Sequence, residues 1–210
     1  MPRTRIKICG VRDLDTALAA AEHGADAIGF MFARMSVRNI EAQAARRIMD
    51  ALPPFISTVG VFVNPSIEKF CDIEEECPTT FTQLHGTEDE GLVRQCGPWL
   101  IKGVRFEKET IAQELARWDA VDEVDAILVD GSQGGEGLSF DWKAMAELKA
   151  SISTPIIIAG GLTPENVAEA IRIIRPYGVD VSSGVERERG VKDPALIAAF
   201  CNAVREADRA

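Results

Sequence analysis

Residues 155–184 read PIIIAGGLTPENVAEAIRIIRPYGVDVSSG, and this stretch holds one full turn of a repeating pattern. A short apolar, β-branched run (Pro155–Ala159) ends at Gly160-Gly161. Thr163 and Pro164 then offer an N-cap and a first helical residue. A helical segment follows over Pro164–Arg175, and a second β-rich run occupies Gly178–Ser182 before Ser183-Gly184. Two short apolar runs joined by a helix of this length predict parallel strands with a crossover helix.

The same unit recurs along the whole chain. Strands are predicted at Arg5–Cys9, Asp26–Phe32, Ile56–Val63, Thr80–His85, Leu100–Phe106, Ala126–Asp130, Pro155–Ala159 and Gly178–Ser182. Helices are predicted at Asp13–His23, Glu41–Leu52, Ser66–Glu76, Asp89–Cys96, Glu109–Trp118, Asp141–Ala150, Pro164–Arg175 and Pro194–Ala207. Asp193-Pro194 and Asp141-Trp142 repeat the capping device at two helix starts. Eight evenly spaced, right-handed βα units without insertions favour closure over an open sheet. The reading is α/β: a (β/α)8 TIM barrel of eight parallel strands, one domain over residues 1–210.

Composition narrows the partners. The net charge of −10 argues against nucleic acid and against an anionic membrane surface. A small anionic ligand remains compatible, because backbone N–H groups and a few arginines hold it locally. Five widely spaced cysteines without a C-x-x-C pair point to a reducing compartment, with neither a disulfide framework nor a metal site. No apolar run reaches membrane-spanning length, and the first ten residues carry no signal-peptide core. A soluble cytoplasmic protein is expected, as a monomer or a homodimer.

Barrels of this kind carry their sites at the C-terminal strand ends. There the sequence places Lys7-Ile-Cys9-Gly10, Ser36-Val-Arg38, Gln83-Leu-His85-Gly86, Leu128-Val-Asp130-Gly131, Ala159-Gly160-Gly161 and Asp180-Val-Ser182-Ser183-Gly184. The glycine-rich turns Gly160-Gly161 and Ser182-Ser183-Gly184 follow strands 7 and 8, where this fold cradles phosphate. Gly134-Gly-Glu136-Gly137 offers a third contact or a lid, with Glu136 directed to solvent. Cys9 is either an inert small hydrophobe or a reactive thiol. Strand alternation puts Lys7 on its face, where a lysine needs Asp180 or Asp130 as partner and its charge favours the thiolate. Asp130 closes an otherwise apolar strand, as a cap or as a carboxyl with raised pKa. Arg38 suits a bidentate grip on a carboxylate or is simply solvated. His85 is read as a ligand contact.

Several of these motifs, taken in order, resemble the phosphoribosylanthranilate isomerase family. They are Lys7-Ile-Cys9-Gly10, Gly24-Ala-Asp26-Ala-Ile-Gly29-Phe30, Ser36-Val-Arg38, Val59-Gly-Val-Phe-Val-Asn64 and Gln83-Leu-His85-Gly86. Further along come Gly134-Gly-Glu-Gly-Leu-Ser-Phe140-Asp-Trp142, Ala159-Gly-Gly-Leu-Thr-Pro-Glu-Asn166 and Val179-Asp-Val-Ser-Ser-Gly-Val-Glu186. The resemblance implies an Amadori rearrangement of N-(5-phosphoribosyl)anthranilate in tryptophan biosynthesis, with no metal and no organic cofactor. It implies Cys9 as general base and Asp130 as general acid. Arg38 would hold the anthranilate carboxylate, Asp180 and His85 would orient sugar and ring, and Gly160, Gly161, Ser182, Ser183 and Gly184 would bind phosphate. Glu136 and Ala33-Arg34-Met35 depart from the family pattern. The alternatives are a histidine-pathway sugar isomerase, against which Cys9 and the glycine-poor Val63-Asn64-Pro65 speak, and a non-catalytic phosphoribosyl-binding barrel.

Overall fold

A computed structural model describes residues 3–131 and 140–209. Eight strands run in parallel: β1 (Arg5–Cys9), β2 (Ala27–Met31), β3 (Ser57–Phe62), β4 (Phe81–Leu84), β5 (Leu100–Arg105), β6 (Val124–Asp130), β7 (Ile156–Ala159) and β8 (Gly178–Val181). Each pairs with the next, and β8 returns to β1 to close the barrel. The helices between them are α1 (Leu14–Glu22), α2 (Ala42–Asp50), α3 (Ile67–Glu76), α4 (Glu90–Cys96), α5 (Ile111–Asp119), α6 (Trp142–Lys149), α7 (Val167–Ile174) and α8 (Pro194–Arg209). Between β8 and α8 lie a 3-10 turn (Ser183–Val185) and a ribbon of two antiparallel strands, β9 (Glu186–Glu188) and β10 (Val191–Lys192).

The strands are apolar on both faces because both are covered. Val59, Val61, Ile101, Ala126, Leu128 and Ile157 fill the barrel interior. Ile6, Ile8, Ile28, Phe30, Ile127, Val129, Ile156 and Ile158 face outward beneath the helices. Burying one such side chain contributes about 1.5–3 kcal/mol, so these two layers hold the fold and leave the strand ends available for polar residues. Side-chain alternation carries the inward direction of Ala126 and Leu128 on to Asp130, and that of Lys7 on to Cys9.

Most helix starts follow the capping chemistry of the sequence. The Asp13 carboxylate accepts the Thr16 N–H at 2.8 Å, that of Asp89 accepts the Leu92 N–H at 2.9 Å, and that of Asp193 accepts the Ala195 N–H at 2.8 Å. The Asp141 carboxylate accepts from Lys143 and Ala144, as its position at the start of α6 suggested. Most boundaries shift by one or two residues, and two of the differences have a clear local cause. Helix α7 starts at Val167 with Asn166 as N-cap, not at Thr163-Pro164. Residues 164–166 form a turn instead, because Asn166 bonds back to the Thr163 N–H at 2.8 Å and to the Gly161 carbonyl at 2.7 Å. Strand β6 starts at Val124, two residues before Ala126; its charged Asp125 looks outward and accepts the Leu100 N–H at 2.8 Å. Among the described residues no helix is long and apolar enough to cross a membrane. All five cysteines are free, with only Cys71 exposed.

Candidate active site

Lys7 and Cys9 project inward from β1, one pleat apart. Across the β1–β8 seam Lys7 stands opposite Asp180, and its Nζ lies 2.8 Å from Asp180 Oδ1, both side chains being buried. Lys7 therefore pairs with Asp180, which resolves the choice between Asp180 and Asp130. Burial by itself lowers the pKa of the Lys7 ammonium, but Asp180 and then Cys9 outweigh it and hold the group above its ordinary value. At Cys9 the balance falls the other way. Burial pushes the thiol up, the positive charge of Lys7 pulls it down, Asp180 pushes it up again, and the net shift is upward. Lys7 does favour the thiolate, as its position predicted, yet desolvation is the larger effect.

Asp130 ends β6 with its carboxyl buried in the barrel mouth. His85, just past β4, brings Nε2 to 3.3 Å from Asp130 Oδ2. Behind it, Gln83 Nε2 lies 2.9 Å from the other ring nitrogen, Nδ1.

Arg38 is neither solvated nor open to solvent on all sides. Its Nε and Nη2 fork onto Glu186 of β9, at 2.6 and 2.9 Å, and both side chains are buried. Glu186 also accepts the Gly190 N–H at 2.9 Å and the Lys192 ammonium at 2.9 Å. Burial alone would raise the Glu186 pKa, but Arg38, the Gly190 N–H and Lys192 hold the carboxyl down at about 2. Lys192 also donates to the Ser182 carbonyl at 2.9 Å, and the Ser182 hydroxyl donates to the Cys9 carbonyl at 3.1 Å. One hydrogen-bonded chain thus runs from Arg38 to the backbone of Cys9.

The two glycine turns meet as the sequence predicted. Gly160, Gly161, Ser182, Ser183 and Gly184 line a small cavity of about 40 Å³ that Asp130 and Asp180 also reach. Gly160 has φ +86°, and a Cβ there would fall 2.5 Å from Asp130 Oδ1, so only glycine fits. A larger cavity of about 640 Å³ is lined by Cys9, Arg38, His85, Asp130 and Asp180 together, with Ser182 shared between the two. Every predicted site residue is therefore at one end of the barrel. Glu136 and its Gly134–Gly137 loop lie outside the described residues. Among those described, no group of three or more His, Cys, Asp or Glu side chains is placed to hold a metal ion.

Gln83 and Glu186 stand inside the quoted motifs without a role of their own, and Lys192 lies outside them. Residues 186–192 (ERERGVK) have the composition of a solvated charge run, and only their tertiary contacts reveal their part.

A family model described as PRAI, N-(5'phosphoribosyl)anthranilate (PRA) isomerase, matches residues 6–203. The N-(5'-phosphoribosyl)anthranilate isomerase of Pseudomonas fluorescens (strain Pf0-1) is 46% identical, over 98% of this chain and all of the relative. The crystal structure of phosphoribosyl anthranilate isomerase from Thermus thermophilus superposes with a TM-score of 0.88 at 35% identity, covering 97% of this chain and 99% of that one. A phosphoribosyl anthranilate isomerase in complex with reduced 1-(o-carboxyphenylamino)-1-deoxyribulose 5-phosphate gives a TM-score of 0.85 at 38% identity, with the same coverage.

Proposed function

The chain belongs to the N-(5'-phosphoribosyl)anthranilate isomerase family, and from that premise we propose that Cys9 and Asp130 divide its reaction between them as base and acid. The protein is an isomerase of tryptophan biosynthesis. It converts N-(5-phosphoribosyl)anthranilate to 1-(2-carboxyphenylamino)-1-deoxyribulose 5-phosphate by an Amadori rearrangement.

Protonated Asp130 donates to the furanose oxygen; the bond from that oxygen to C1′ breaks, and the anilinic nitrogen supplies the electrons that make an iminium. The C2′ proton is now acidic. The cationic iminium beside the Cys9 sulfur favours the thiolate, offsetting the desolvation that raises the thiol pKa. Cys9 removes that proton, and the C2′ electron pair neutralises the iminium as an enolamine. The enolamine then tautomerises, gaining a proton at C1′ and losing the one on its enol oxygen.

The observation that carries this reading is the single cavity shared by Cys9, Arg38, His85, Asp130 and Asp180, opening onto the glycine cradle. Arg38, steadied by Glu186, holds the anthranilate carboxylate, and Nη1 takes no part in the fork to Glu186. Asp180 and His85 orient the sugar and ring. Gly160, Gly161, Ser182, Ser183 and Gly184 take the phosphate. A crystal structure with the reduced product bound tests the assignment. The phosphate is expected between the two glycine turns, the carboxylate on Arg38, and Sγ of Cys9 within van der Waals reach of C2′. A phosphate seated on the loops after β3 or β4 instead would overturn it.

A further inference from the structure

Gln83 is almost fully buried, and together with His85 it occupies successive inward positions at the end of β4. Its amide nitrogen faces His85 Nδ1 at 2.9 Å, and its Oε1 has no hydrogen-bond partner among the described residues. A Cβ on Gly103 of β5 would fall 2.5 Å from His85 Nδ1, so the imidazole occupies the space that the glycine leaves open. An NH2 group at Nδ1 makes that nitrogen an acceptor, which leaves the proton of the neutral ring on Nε2. Nε2 is the atom that faces Asp130 Oδ2 at 3.3 Å. The reversed amide would put the carbonyl at Nδ1 and strand both amide protons where one carbonyl now stands alone. An under-satisfied carbonyl is the cheaper of the two.

We propose that Gln83 is a positioning residue: it fixes His85 as the Nε2–H tautomer, which turns its N–H toward the Asp130 carboxyl. As Asp130 releases its proton to the ring oxygen, the His85 N–H stabilises the carboxylate that develops, so the acid is strongest when it acts. This inference rests on the reading of Asp130 as the acid, but the tautomer itself does not.

The chain has two histidines, His23 and His85, so His23→Gln leaves a single imidazole. Histidine-labelled protein in that background, read by long-range 1H–15N spectra, should show the proton on Nε2. Gln83→Glu should move it to Nδ1, since a carboxylate there only accepts. Gln83→Leu, which removes the orphaned amide, should keep or raise Tm while lowering kcat roughly tenfold to a hundredfold, with KM little changed. A parent ring protonated on Nδ1 overturns the proposal, as does a folded Gln83→Leu with parental kcat. If Gln83→Leu does not fold, the parent and Gln83→Glu spectra decide. Full activity in Asp130→Asn would remove the acid reading alone and leave the tautomer standing.

Discussion

Cys9 lies two residues after Lys7 on β1, with Asp180 across the seam and Lys192 behind it, and its thiol is nevertheless held above its ordinary range by burial. The thiolate fraction grows with pH, so a raised pKa displaces the rising limb of kcat/KM above the ordinary cysteine value of about 8.5. Lys7→Met removes the largest pull toward the thiolate and should move that limb higher still. The same change leaves Asp180 buried without its cation, at a cost of about 3–5 kcal/mol. Adding Asp180→Asn should recover most of that loss. The pH–rate profile and denaturant melts of the single and double variants check both statements; a limb unmoved in Lys7→Met would count against Lys7 as tuner. At this scale the gathering of Cys9, Asp130, Arg38, His85 and Asp180 around one cavity was legible in the sequence, because a parallel barrel brings its C-terminal strand ends together. Glu186 was not readable as Arg38's partner, since the pair is 148 residues apart and its segment looks like solvated charge.

The ribbon of β9 and β10 is the element that sequence periodicity missed, because strands of three and two residues carry no pattern of their own. It nevertheless brings Glu186 to Arg38 and Lys192 to Ser182. The Glu186 carboxyl titrates at about 2 in the folded chain against an ordinary value of 4.5. A depressed carboxylate contributes stability that is fully present above about 4.5 and is lost as pH falls toward 2. Glu186→Gln should flatten the acid dependence of stability across that window. It should also raise KM several-fold with less change in kcat, because Arg38 loses the fork that aims it. Acid melts and steady-state kinetics read the two effects, and an unchanged acid profile would contradict the ribbon's role. The late start of α7 has a similar cause: Thr163-Pro164 is a sound helix signal locally, but Asn166 spends its amide on the Gly161 turn that forms the cradle. The early start of β6 was hidden by the acidic residues around Val124.

Closure gives these local devices a common site. The return of β8 to β1 joins Lys7 to Asp180, which are 173 residues apart, and sets the cradle beside Cys9. Eight regular strand–helix units made the barrel legible, whereas of its buried ion pairs only that of Lys7 was narrowed, to Asp180 or Asp130, because a charged residue in sequence shows its type but not its partner. The net charge of −10 fits the proposed reading, in which local N–H groups and Arg38 hold the anionic substrate, not the field of the whole molecule. The most direct test is steady-state turnover of N-(5-phosphoribosyl)anthranilate by Cys9→Ser and Asp130→Asn, followed as loss of substrate fluorescence, with affinity for the reduced product measured alongside. Each variant should lose roughly 10²- to 10⁴-fold in kcat while binding the reduced product within a few-fold of the parent. Turnover within about tenfold of the parent in either variant would contradict the division of acid and base between these two residues.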